Sequence, residues 1–182
     1  MTGWSKRLLT RELPAGYRAR NLRLDHFLEE GNVRLYLVGS LRNPQVPSIA
    51  RALRQAGHDV FDDWFAAGER ADDSWREYEI ARGHSYLEGL RGKAAEHIVD
   101  FDYANMIQSD AAVLVAPAGK SAHLELGWFL GQGRPGHILL EPDTDRWDVM
   151  FRLATGVHSD LDALIAALNP IEIEGERWMV GR

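Results

Sequence analysis

The sequence predicts an α/β fold, with a parallel sheet of about five strands and helices on both faces. Three observations point there. The run Ala111-Ala112-Val113-Leu114-Val115 is short and apolar, and Pro117 and Gly119 break it, which suits a strand buried on both faces. Residues 33–38, the helically spaced set Val46, Ile49, Ala50 and Leu53, and residues 59–61 follow one another in strand, helix, strand order. Such a unit is parallel and right-handed in nearly all proteins. Finally, 182 residues without a cysteine fit one domain whose core needs no disulfide.

Taken in order, residues 1–31 read as an N-terminal arm. Lys6, Arg7, Arg11, Arg18, Arg20 and Arg23 face only Glu12 before Asp25. Trp4, Leu8, Leu9, Leu13 and Tyr17 could anchor the arm on the domain or on a partner subunit; the alternative is a loose terminus. Residues 32–182 form the single α/β domain. The first strand, 33–38, ends at Gly39-Ser40, Pro47 suits the first turn of the next helix, and Gly57 ends it. After the strand 59–61, residues 72–109 carry no strand signal. Trp75, Tyr78, Ile80, Tyr86, Leu87 and Leu90 recur at helical spacing. They predict a helical insertion over about 72–97, broken near Gly83, Gly89 or Gly92, and a helix of about 94–109 leading into strand 111–115.

Ser121 is the expected N-cap of a helix running through Phe129 and Leu130. Strand 137–140, a short helix around 147–153, a strand near 155–157 and a helix carrying Leu161, Leu164, Ile165 and Leu168 complete the domain. Ser159 with Asp162 resembles a capping box for that last helix. Ile171, Ile173, Trp178 and Val180 suggest a terminal hairpin.

Composition narrows the function. With no cysteine, thiolate chemistry is excluded. No apolar run nears the length of a membrane span, and the N-terminus lacks the apolar core of a signal peptide, so a soluble, cytoplasmic protein with no membrane partner is expected. A net charge of -6 argues against a nucleic-acid polymer as partner, although a local basic pocket remains open.

In an open α/β sheet, ligands bind beyond the carboxyl ends of the strands. Three segments fall there. In the first, Gly39 allows close backbone approach, while Ser40 and Arg42 offer donors for a phosphate or a sugar hydroxyl. In the second, Asp62 and Asp63 read as solvated loop acids, and Trp64 as a ring for stacking or for the core. The third, Gly119-Lys120-Ser121, lacks the glycine that a P-loop needs five residues earlier, where Leu114 stands. It leaves a weaker anion site at the helix start. The seven histidines show no metal-ligand spacing, so no metal is expected; His123 borders Glu125 in sequence.

With Ser121 as cap, Glu125 lies one turn into the helix, where free N–H groups and the dipole should keep it ionised. It is either a nucleophile or an ordinary first-turn acid. Asp102, eight residues before Asp110, is a surface acid or, if it reaches Glu125, a carboxyl whose pKa is raised so that it donates a proton.

Leu35-Tyr36-Leu37-Val38-Gly39-Ser40, the stretch from Phe101-Asp102 to Val115, and His123-Leu124-Glu125-Leu126-Gly127 followed by Gly131-Gln132-Gly133-Arg134-Pro135 together resemble the nucleoside 2-deoxyribosyltransferase family. The resemblance extends to the related 2'-deoxynucleoside 5'-phosphate N-hydrolases and spans roughly residues 33–168. It implies a flavodoxin-like (Rossmann-like) sheet and cleavage of the N-glycosidic bond of a (deoxy)nucleoside or its 5'-monophosphate. The outcome would be hydrolysis or transfer of the (deoxy)ribosyl group to another base. It implies Glu125 as nucleophile, Asp102 near the leaving base, and Tyr36 on the first strand. The Gly39 to Arg42 loop would contact a phosphate, with Trp64, Gly119, Ser121 and His123 as further substrate-binding candidates. No cofactor is implied, and a homodimer or higher homo-oligomer is. Typical transferases carry an aspartate where this chain has Gly119, which together with Ser40, Arg42 and Ser121 favours the hydrolase branch. Rival readings are a non-catalytic nucleotide-binding or sensing module and a NAD glycohydrolase.

Overall fold

A computed structural model describes residues 33–142 and 147–169. The arm expected over 1–31 and the hairpin expected around 171–180 lie outside the described residues. Strands β1 (Arg34–Val38), β2 (Asp59–Phe61), β3 (Ala111–Val115), β4 (Gly136–Leu139) and β5 (Gly156–His158) form one sheet in the order β2-β1-β3-β4-β5. Every neighbouring pair is parallel. This is the flavodoxin-like order, with its switch point between β1 and β3.

The connections are helical: α1 (Val46–Gln55), α2 (Ala71–Ala81), α3 (Tyr86–Gly89), α4 (Lys93–Gln108), α5 (Lys120–Gly131) and α6 (Leu161–Leu168). Helix α1 starts with Pro47 in its first turn and buries Val46, Ile49, Ala50 and Leu53. The crossovers β1–α1–β2 and β3–α5–β4 run in opposite directions across the sheet, so their right-handedness puts α1 and α5 on opposite faces. On the α5 face, Tyr36, Val38, Phe61, Ala112, Leu114 and Ile138 pack with Met106 of α4 and with Ala122, Leu126 and Phe129 of α5. The alternate residues Leu35, Leu37 and Val113, fully buried on the other face, follow from the period of two. Gly136 lets α5 come close: a Cβ there would stand 2.7 Å from Leu126 Cδ1.

The insertion is helical, as its spacing predicts. Helix α2 stops just before Gly83, whose φ of 77° suits glycine. Ser85 and Glu88 form a capping box on α3, and Gly92 is the N-cap of α4. Gly89 is buried against Trp75 and Glu79. At the far end of α4, Arg134 donates from Nη1 to the carbonyls of Met106, Ile107 and Ser109 at 3.0, 3.1 and 2.9 Å. Its guanidinium also lies over the rings of Trp128 and Phe129. The last helix is capped differently from expectation. Asp160, not Ser159 with Asp162, caps α6, its Oδ1 accepting from Ala163 N at 2.8 Å. No helix among the described residues is long and apolar enough to cross a membrane.

Candidate active site

Three elements bring Tyr36, Asp102 and Glu125 together. Tyr36 is in mid β1, buried to 1% exposure and stacked on Phe61 at 5.2 Å between ring centroids. Its position on the α5 face is set by strand alternation. Asp102 comes from α4 and Glu125 from α5, the two helices packed on that face. The Tyr36 hydroxyl donates a hydrogen bond to the Asp102 carboxylate. Asp102 Oδ1 is buried without a hydrogen-bond partner.

Electrostatics couple the three. Burial, with the negative charge of Asp102 added to it, pushes Glu125 up to about 7. Burial also raises Asp102, against the hydrogen bond from Tyr36, which lowers it. The Tyr36 phenol is driven far above its ordinary value by burial, then by the charges of Glu125 and Asp102. It therefore stays protonated and remains a donor. Two carboxyls this close, out of water, do not both ionise readily near neutral pH.

This corrects two expectations about Glu125. The N-cap of α5 is Gly119, with no side-chain cap bond, and not Ser121. The helix therefore begins at Lys120, and Glu125 falls in the second turn, past the free N–H groups that would hold its charge. Desolvation then outweighs the dipole, so Glu125 does not simply stay ionised.

The loop candidates form a second group. Strand order reverses between β1 and β3, and a cavity of about 190 Å³ opens there, lined by Ser40, Arg42, Asn43, Pro117 and Ala118. Ser40 Oγ accepts from Arg42 N at 3.2 Å. Asn43, missed by the sequence reading, is buried at 4% exposure. Its Nδ2 donates to Ala116 O at 3.2 Å and its Oδ1 accepts from Gln45 N at 3.0 Å, tying the two strand ends together. An asparagine between Arg42 and Pro44 was the available signal. Arg42 is already paired: one of its N–H groups, on Nη2, is bonded to Asp73 Oδ2 at 2.8 Å.

The other candidates lie apart from the carboxylates or are held by the fold. Trp64 packs on the core and donates from Nε1 to Leu37 O at 2.7 Å. A Cβ on Gly39 would sit 3.1 Å from Val46 Cγ2 and 3.5 Å from Trp64 Cη2. Asp62 pairs with Arg54, while Asp63 is exposed at the start of a 3₁₀ turn. His123, two residues from Glu125 and so on another side of the helix, donates from Nδ1 to Gly119 O at 2.7 Å and stacks on Phe151. Ser121 and Gly119 are exposed. Among the described residues, no three His, Asp or Glu side chains are grouped to hold a metal ion.

No protein-family model matches the chain, and no curated protein is similar to it in sequence. Solved structures do resemble it. A 2-deoxyribosyltransferase from Bacillus psychrosaccharolyticus is 17% identical over 75% of this chain and 96% of its own, with a TM-score of 0.49. The CMP N-glycosidase BcmB of Clostridium botulinum is 12% identical over 74% and 97%, with a TM-score of 0.45. A conserved protein from Enterococcus faecalis V583 is 13% identical over 75% and 96%, with a TM-score of 0.50. What is shared is the fold. The strand order is that of flavodoxin-like α/β proteins, and the Enterococcus structure shares the fold.

Proposed function

We propose that this protein cleaves the N-glycosidic bond of a (deoxy)nucleoside or nucleoside 5'-monophosphate through Glu125. The reading rests on the half-buried pair of Glu125 and Asp102, with Tyr36 bonded to Asp102, at positions where the motif resemblance expects nucleophile, acid and tyrosine. Around pH 7 the pair passes between sharing one proton and holding none. When that proton is on Asp102, Glu125 is a carboxylate free to attack C1' as the bond to the base loosens, forming a glycosyl ester. Asp102 then gives its proton to the departing base. The Tyr36 hydroxyl holds the Asp102 carboxylate in place and supports its charge after the transfer. Water attacking C1', its proton passing to the Asp102 carboxylate, releases the sugar and returns Glu125; a second base in its place, giving up its proton in the same way, makes the reaction a transfer.

The chain acts as a homo-oligomer in this reading. Large apolar side chains of the insertion and of α4 stand exposed, among them Ile80, Tyr86, Leu87, Val99 and Phe101, and a second copy would cover them. The deciding experiment incubates the protein with 2'-deoxynucleosides, ribonucleosides and their 5'-monophosphates, with and without an acceptor base, and separates the products. Free base without acceptor identifies hydrolysis, and exchange only with acceptor identifies transfer. No base release from any member overturns the proposal and leaves a binding module.

A further inference from the structure

The cavity at the ends of β1 and β3 has its one charged lining residue, Arg42, already engaged. Its partner Asp73 belongs to the first turn of α2, next to Asp72, in the helical insertion. The other lining groups carry no charge, and both polar ones are in use. Ser40 Oγ accepts from the backbone, and the Asn43 amide bridges Ala116 and Gln45. From this arrangement we infer that Asp73 is a specificity-determining residue that cancels Arg42 and disfavours a phosphorylated ligand against one ending in a hydroxyl. The inference rests on reading the cavity as part of a nucleoside or nucleotide site.

The physics is competitive. A phosphate dianion meeting Arg42 must either displace the Asp73 carboxylate or share the guanidinium with it, and in both cases the like charge opposes binding. A hydroxyl can accept from the guanidinium or donate to the carboxylate with the pair intact. Side-chain exposures of 61% for Arg42 and 46% for Asp73 put the pair in high dielectric, so the discrimination is modest, about fivefold.

The test titrates the full chain with ribose 5-phosphate and with ribose. Asp73→Asn is expected to bind ribose 5-phosphate about fivefold more tightly than the parent, with ribose affinity moving by less than about twofold. The double variant Arg42→Gln, Asp73→Asn is expected to lose that gain. Equal ribose 5-phosphate affinity in parent and Asp73→Asn, a gain that survives without Arg42, or no binding by either protein overturns the role of Asp73. Base release by the parent from the nucleoside and monophosphate panel is measured separately. Its absence defeats the glycosidase reading alone, because the titration does not depend on turnover.

Discussion

At the β4–β5 edge a buried His137 meets a half-buried His158, and across β1, α4 and α5 a buried Tyr36 meets the half-buried carboxyls of Asp102 and Glu125. The histidines close on each other. His137 Nδ1 and His158 Nε2 are 3.1 Å apart with rings stacked, and burial lowers both, with the charge of His158 adding to the effect on His137. Each neutral ring donates or accepts what the other needs. The carboxyls are raised by the same burial but share like charge, and one oxygen of Asp102 has no partner. The first cluster is internally complete, whereas the second keeps acceptor capacity and a proton near neutral pH. Burial alone therefore does not mark a site; incomplete mutual satisfaction does.

The largest expected effect breaks the second cluster. Glu125→Gln should lower base release by about 10³-fold or more, since the nucleophile is gone, as read by chromatography of released base. The same variant should be more stable than the parent at pH 8, by about 1–3 kcal/mol, and nearly equal to it at pH 5. The sign follows from protons: with Glu125 raised from 4.5 to about 7, the native state holds the proton that the unfolded chain has released. Stability therefore falls as pH rises through that window. Thermal melts at the two pH values check it.

Next in size is a steric probe of the histidine pair. A Cβ at Gly156 would lie 2.7 Å from His158 Nε2 and 2.9 Å from His137 Nδ1. Gly156→Ala should thus destabilise by about 1–3 kcal/mol in urea unfolding, without shifting the pH dependence of turnover. A smaller effect has the opposite sign to that of Glu125. The lowered histidines leave the unfolded chain with more protons below its ordinary value of 6.5, so they remove stability as pH falls through that range. His158→Gln should flatten this acid limb of the stability curve. Smallest is Gly119→Asp. The exposed N-cap has no neighbour within 4 Å of a Cβ, and aspartate caps better than glycine by a few tenths of a kcal/mol. A base-exchange assay of that variant also asks whether the missing aspartate is what limits transfer.

The sheet was legible because its signals are local. Strand 111–115 coincides with β3, and the glycines at 83, 89 and 92 fall at the breaks of the insertion. The carboxylate cluster was legible only through the spacing of several motifs together, since Asp102 and Glu125 meet through the packing of two helices. What escaped depends on contacts distant in sequence. Arg42 meets Asp73 31 positions away and His137 meets His158 21 positions away. Ionisation of Glu125 is set by how deeply α5 is packed, which no pattern within the helix encodes. The cap of α5 was misplaced because Ser121 has the better capping chemistry, while the backbone leaves the helix two residues earlier.

Arg134 stands just beyond the helix that carries Glu125 and grips the end of the helix that carries Asp102. One side chain thus ties together the distal ends of the two levers whose other parts meet at the carboxyls. The length and conformation of the connection from α5 to β4 therefore bear on how Asp102 and Glu125 are aligned. Remodelling that bend would reach the reaction mechanically, through the relative slide of α4 and α5, with no group near the sugar or the base altered.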